Sequence, residues 1–415
     1  MNSYYKIHQL IAQHDSWRSQ TINLIASENK LSPLVRAALQ SDLVQRYGDY
    51  TGRDLSARRY RGNRYIELLE RETVQLARAV FKTAYVELRP LSGHVAGAAV
   101  LMGLCKPGDL VLEVGREGGG HREAGKLAVS SLADLKVEYL PFDAATYNID
   151  VQATLQLIEQ KRPRIVILGS SNFLFPHPVA ELARFLKQFP ETLLVYDASH
   201  VLGLMAGGCF QDPLREGAEV VFGSTHKTFP GPQGGILFTN RADLIEKISE
   251  AAYPGLVTNH HLFRIPALAL TLLEMKEWGK AYAEQIIQNA QALGIALEME
   301  GVPCVKVEGR FSQSHTILVC VRHFGSGMAM AERLEEAGII TTAAHLPEYW
   351  GGEGIRIGVQ EITRLGAKEE EMIQVAHWIS QVLNGAQIPA EISIQTASFA
   401  KNLGPVRFTW EQIDE

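Results

Sequence analysis

Cysteine is scarce in this chain. Its four residues, Cys105, Cys209, Cys304 and Cys320, lie far apart, with no C-x-x-C pair and no histidine cluster beside them. This argues against a disulfide framework and a structural metal, and gives the expectation of a reducing, cytoplasmic setting. Long apolar runs are missing too, so no segment approaches the roughly 20 residues of a membrane-spanning helix. Positive charge is not in excess: 40 Lys and Arg against 46 Asp and Glu leave a net charge of −6. A nucleic-acid or membrane-surface partner calls for a basic footprint, so neither is expected. The first twenty residues mix acidic and basic groups, unlike a secretory signal. There is no internal repeat and no low-complexity segment.

What is present is an ordinary globular composition, 46% hydrophobic and 21% charged, on a chain too long for one compact core. The expected division is an N-terminal helical arm at 1–45, a large α/β domain at 46–280 and a smaller C-terminal α+β domain at 281–415. Within the arm, Ser32-Pro33 suits the N-cap and first position of a second short helix. A helical pattern from 65 to 104 is interrupted at 89–94. Short apolar runs then recur at 110–114, 137–140, 165–168, 193–197, 220–223 and 236–239, separated by amphipathic stretches. That alternation predicts buried strands of a mostly parallel sheet with helices on both faces. A long helix is expected over 266–296. Beyond 301 the pattern predicts strands near 305, at 317–321 and at 355–358, and helices at 328–337 and from 368.

The strongest local signal is Gly223-Ser224-Thr225-His226-Lys227-Thr228, followed by a Gly/Pro loop to Gly235. A lysine among small and hydroxylic residues at a buried strand end is desolvated toward the neutral amine that imine formation needs. A structural ion pair is the alternative. Asp197 ends the run LLVYD, where open α/β sheets bind ligands. There a carboxylate can hold a pyridine nitrogen protonated or, more plainly, cap the next helix. His200 is placed to orient it. Ser92-Gly93-His94 opens a helix, a ready phosphate cradle or an ordinary N-cap. His121 follows three glycines that permit close approach to a flat ring, though a solvated loop histidine reads the same way. Arg356, in the apolar run Gly354–Gly358, needs a carboxylate, from the protein or from an amino-acid substrate. The pair His260-His261 lacks a third metal ligand at useful spacing, so it is read as structural and no metal is expected.

Taken in chain order, these residues supply a phosphate cradle, a ring stacker, a pyridinium partner, an imine lysine and a carboxylate clamp. At this point the sequence resembles the serine hydroxymethyltransferase (glycine hydroxymethyltransferase) family of fold-type I pyridoxal-phosphate enzymes, closest to its archaeal, methanogen-type branch. The resemblance is carried by LIASEN, FPHPVAELA, YDASHVLGLMAGGCFQDPLREGAE, STHKTFPGPQGG and IRIGVQEITRLG. It implies pyridoxal 5′-phosphate bound as a Schiff base on Lys227, with Asp197 on the ring nitrogen and His121 stacked on the ring. Ser92, Gly93 and His94 are implied at the phosphate, and Ser171, His200 and His226 along the cofactor. Ser27 and Arg356 would hold the substrate carboxylate. Tyr47 and Tyr60 match two tyrosines that reach across a dimer interface, implying a homodimer with shared sites.

Three features depart from the family pattern. The catalytic glutamate is here Asp49, whose acid group has a reach shorter by about 1.5 Å. The loop from Asp49 to Tyr60 is longer, with Arg59 in place of a tyrosine. The segment that receives the pterin, Thr341–Pro347, lacks its asparagine, and Arg116 and Arg122 stand where folate enzymes have leucines. The implied reaction makes or breaks the Cα–Cβ bond of a β-hydroxy amino acid through a glycine quinonoid, as in serine/glycine interconversion. Asp49 is the acid–base, assisted by His121 or His226, and tetrahydrofolate or a modified pterin is the carrier. A folate-independent threonine aldolase or transaldolase is the alternative, followed by a racemase or aminotransferase.

Overall fold

A computed structural model describes residues 3–129 and 134–410. They form two compact units, 29–284 with 408–410, and 3–28 with 285–407.

The larger unit is built on seven strands: β1 Tyr85–Glu87, β2 Leu110–Val114, β3 Lys136–Leu140, β4 Ile165–Leu168, β5 Leu193–Asp197, β6 Val220–Ser224 and β7 Gly235–Thr239. Their spatial order is β1-β7-β6-β5-β4-β2-β3. Strands β6, β5, β4, β2 and β3 run parallel, and β7 is antiparallel to both of its neighbours. Every residue of β4, β5, β6 and β7 is buried. That burial is why these strands read as continuous apolar runs rather than as an alternation. Helix Gly93–Leu104 packs Ala96, Ala99 and Val100 into the same core as Val220, Phe222 and Leu237.

The helical pattern expected over 65–104 is in fact two helices, Arg64–Phe81 and Gly93–Leu104, with β1 between them. Lys82 ends the first helix in the left-handed conformation, at φ 48°. Three residues of edge strand are too few to show a period of two, so β1 left no mark in the sequence. Ser32 caps helix Pro33–Ala38, its side chain accepting from the Val35 N–H, and Pro33 occupies the helix start.

The smaller unit carries β8 Thr316–Cys320, β9 Thr342–His345 and β10 Glu353–Gly358, in the order β8-β10-β9. Ile22–Asn23 pairs in parallel with Ile339–Ile340, which ties the N-terminal residues into this unit. The strand expected near 305 is reduced to a bridge, Cys304 opposite Val319, and the Val305 N–H donates to Leu318 O. Helix Arg264–Met299, 36 residues long, spans the point where the chain passes from one unit to the other. Among the described residues no helix is long and apolar enough to cross a membrane.

Candidate active site

The parallel strands of the larger unit all end on one edge of the sheet, and the chemistry-bearing residues follow those ends. Lys227 lies three residues past β6. Its carbonyl accepts from the Asn29 amide at 2.6 Å, and the next residue, Thr228, donates to His200 O at 2.8 Å. The loop then folds back: Thr225 N–H donates to Gly234 O and its hydroxyl to Pro232 O. The lysine backbone is therefore fixed on both sides while the side chain is only half-buried. Burial first, and the charge of Lys227 second, bring the neighbouring His226 down to about 4 from 6.5. His226 is thus a neutral imidazole near pH 7 and serves as an acceptor or neutral donor.

Asp197 ends β5 and is almost fully buried. Its Oδ1 accepts from the Ser199 N–H at 2.9 Å. Gly169, just after β4, has φ +140°, and a Cβ there would sit 2.7 Å from the Asp197 Cβ. The aspartate is therefore packed against backbone that admits only glycine.

After β2 the chain enters the glycine loop that presents His121. Ser170 Oγ donates to Gly118 O at 2.6 Å and the Ser171 N–H to Gly119 O at 2.7 Å, so the end of β4 straps the loop. A Cβ on Gly120 would collide with the carbonyl oxygen of Val114. Because the obstacle is backbone, Gly120→Ala should displace the loop and cost about 1–3 kcal/mol, read as a lower thermal midpoint with weakened cofactor absorbance. An unchanged midpoint and absorbance would show that the loop tolerates a side chain there.

Helix Gly93–Leu104 begins at the ends of β5 and β6. Ser92 is its N-cap, accepting from the Val95 N–H at 3.1 Å. A Cβ on Gly93 would strike Ser224 Oγ and lie 2.9 Å from Ser199 Oγ, so the helix start is pressed against both strand ends. The His94 and His121 rings are 5.8 Å apart, edge to face. Between them lies Glu123, a residue the sequence reading missed, since a glutamate two places after a histidine carries no pattern of its own. Among the described residues His94, His121 and Glu123 form the one group of three whose ligand atoms could hold a metal ion, all within 4.8 Å of one another.

Asp49 is buried, and its Oδ1 lies 3.8 Å from His260 Nδ1, neither atom having a hydrogen-bond partner. The other ring nitrogen of His260 is 2.5 Å from Glu70 Oε1, and Glu70 is paired with Arg58. Burial lowers the His260 pKa, but the nearby Asp49 carboxylate and the hydrogen bond to Glu70 outweigh it and raise it above the usual imidazole value. Arg58 also donates to Gly48 O, which fixes the long loop against the residue before Asp49. Tyr47 and Tyr60 are about half exposed, with ring centroids 5.4 Å apart.

Ser27 and Arg356 belong to the other unit. Arg356 is half-buried on β10, between the fully buried Ile355 and Ile357, opposite Leu318 on β8 and Thr342 on β9. Gly358 N–H donates to Leu24 O at 2.8 Å, and the close backbone at Ala26 brings the segment of Ser27 against the end of β10. Ala343 and Ala344 lie on β9, which among the described residues pairs only with β10.

Residues 2–379 match the family model for serine hydroxymethyltransferase. The chain is 42% identical over 415 residues to the serine hydroxymethyltransferase of Methanopyrus kandleri, covering 98% of this chain and 95% of that protein. It is 44% identical over 399 residues to that of Pyrococcus furiosus, covering 93% and 92%. Among solved structures it is similar to L-threonine transaldolase from Pseudomonas fluorescens in its internal aldimine state. There the TM-score is 0.90 and the identity 28%, over 97% of this chain and 92% of that one.

Proposed function

The chain belongs to the serine hydroxymethyltransferase family, and from that premise we propose that it interconverts serine and glycine by transferring a hydroxymethyl group to tetrahydrofolate or a modified pterin. It is a pyridoxal-phosphate enzyme of the kind that makes or breaks the Cα–Cβ bond of a β-hydroxy amino acid. The residues present suit that cofactor. Gly93 opens a cradle at a helix N-terminus that a Cβ would close, and Lys227 and Asp197 extend from adjacent strands of the same sheet edge. The observation that carries the reading is this pairing of a fixed lysine backbone with a carboxylate at the end of the next strand.

When bound, the cofactor supplies an electron sink for the pair left at Cα. Lys227 would hold it through the ε-amine, and Asp197 would keep the ring nitrogen protonated. His121 would cover the ring, Ser92, Gly93 and His94 would take the phosphate, and Ser171, His200 and His226 would line the remainder. Ser27 and Arg356, by their family positions, bind the substrate carboxylate. Asp49 moves the proton of the β-hydroxyl. Its short side chain is backed by His260, and His226 stays neutral beside Lys227. The exposed Tyr47 and Tyr60 support a homodimer whose partners complete each other's sites, working in the cytoplasm.

A second reading, folate-independent cleavage of threonine or a related amino acid, is favoured by one observation. The segment that receives the pterin in the family presents Ala343-Ala344 on an edge strand. Both readings are tested by incubating the holoenzyme with L-serine and with L-threonine, with and without tetrahydrofolate. Tetrahydrofolate should accelerate serine cleavage. If it has no effect, and L-threonine releases acetaldehyde, the second reading replaces the first.

A further inference from the structure

Glu123 holds the two histidines of the cofactor site together. It is buried, at 2% exposure, in the first turn of helix Glu123–Val129. Gly97 makes room for it, since a Cβ there would lie 2.7 Å from Glu123 Cγ. Its two oxygens are divided, Oε1 lying 2.6 Å from His94 Nδ1 and Oε2 3.0 Å from His121 Nδ1. On the far side of His121, Lys126 Nζ is 2.8 Å from Nε2.

An ammonium can only donate, so His121 Nε2 accepts and its Nδ1 carries the proton shared with Glu123. His121 is then a neutral imidazole of one tautomer, and the carboxylate charge falls to His94. The Glu123 carboxylate, in ion-pair contact, raises His94 above the ordinary imidazole pKa, against burial and the charge of Lys126. Burial pushes Glu123 up, but its hydrogen bond to His121 and the ion-pair contact with His94 prevail and hold it low. Glu113, which also interacts with Glu123 and His121, is occupied by the N–H groups of Ala124 and Gly125.

We propose that Glu123 is a positioning residue of the cofactor site, which fixes His121 in one tautomer and holds His94 as a cation at the start of helix Gly93–Leu104, favouring a phosphorylated over an unphosphorylated cofactor. The helix N-terminus and the cation then act on the same phosphate. The proposal rests on the pyridoxal-phosphate reading above. His94 loses its charge as the pH rises through its raised pKa, so affinity for the phosphate falls there. Without Glu123 that fall moves to lower pH.

The test is binding, not turnover. Pyridoxal phosphate and pyridoxal are titrated against the apoenzymes of the parent, Glu123→Gln and His94→Ser across neutral pH, by visible absorbance. Glu123→Gln should weaken pyridoxal phosphate about tenfold and pyridoxal little, and lower the pH at which the preference is lost. His94→Ser should show a preference that no longer changes with pH in that window, and it decides the matter alone if Glu123→Gln does not fold. A parental ratio and pH dependence in either folded variant overturns the proposal. A parent that binds no pyridoxal phosphate instead removes the reading beneath it.

Discussion

Lys227→Ala should abolish the visible absorbance of the lysine-bound cofactor and lower kcat at least about a thousandfold, the scale on which loss of a nucleophile is felt. The loss should be chemical rather than structural. The Lys227 carbonyl is held by Asn29, the following Thr228 by His200 O, and the loop by Thr225 with Gly234 and Pro232, all through groups the substitution leaves in place. The side chain is only half-buried, so truncating it makes no sealed cavity. The thermal midpoint should therefore stay near the parent's, and pyridoxal phosphate should still bind through its phosphate end, now removable by dialysis. Lys227→Arg separates charge from nucleophilicity. A guanidinium stays protonated at any working pH, so this variant should be as inactive as the alanine one. A small primary amine added to Lys227→Ala should restore part of the turnover. If Lys227→Ala keeps parental absorbance after dialysis, another group carries the cofactor and the site has been misplaced.

The sequence showed most of the large sheet, and physical reasons account for what it concealed. Six of its seven strands were visible as apolar runs, five of them because their residues are buried on both faces while Lys136–Leu140 is only partly buried, and the observed bounds differ by at most a residue or so. The seventh, Tyr85–Glu87, is a short edge strand whose pairing with Leu237–Thr239 is set by tertiary contact. The strand-end positions of Lys227 and Asp197 were legible because each ends or closely follows a buried apolar run. The pairings among carboxylates and imidazoles were not. Glu70 meets His260 across 190 positions, and Asp49 joins them from a third segment. His260 reads as half of a structural His-His pair, and it is fully buried between two carboxylates that the sequence does not point to. Glu123 is close in sequence to His121, but its second partner, His94, comes from another helix. Pairings of this kind depend on where a fold brings side chains, and neither spacing nor composition encodes them.

Asp197→Asn is the stricter test of the electron sink, because it changes charge while keeping shape. The asparagine oxygen can still accept from the Ser199 N–H, so the end of β5 should stay where it is. What is lost is the anion that keeps the ring nitrogen protonated, and with it the pull on the electron pair left at Cα. Removing one preorganised electrostatic partner from a water-poor site costs about 10²–10³ in kcat, and the site here is water-poor, with Asp197 9% exposed. The KM for the amino acid should move little, since the carboxylate clamp is elsewhere, and the cofactor should remain bound through Lys227 and its phosphate. The visible spectrum should change with the protonation of the ring, which separates this loss from a folding defect. Gly169→Ala gives the complementary perturbation: the new methyl would press on Asp197 at 2.5–2.7 Å, moving the carboxylate without removing it. Its kcat should fall less than that of Asp197→Asn, with the parental spectrum partly retained. An Asp197→Asn enzyme within about threefold of the parental kcat would mean that ring protonation does not limit this reaction.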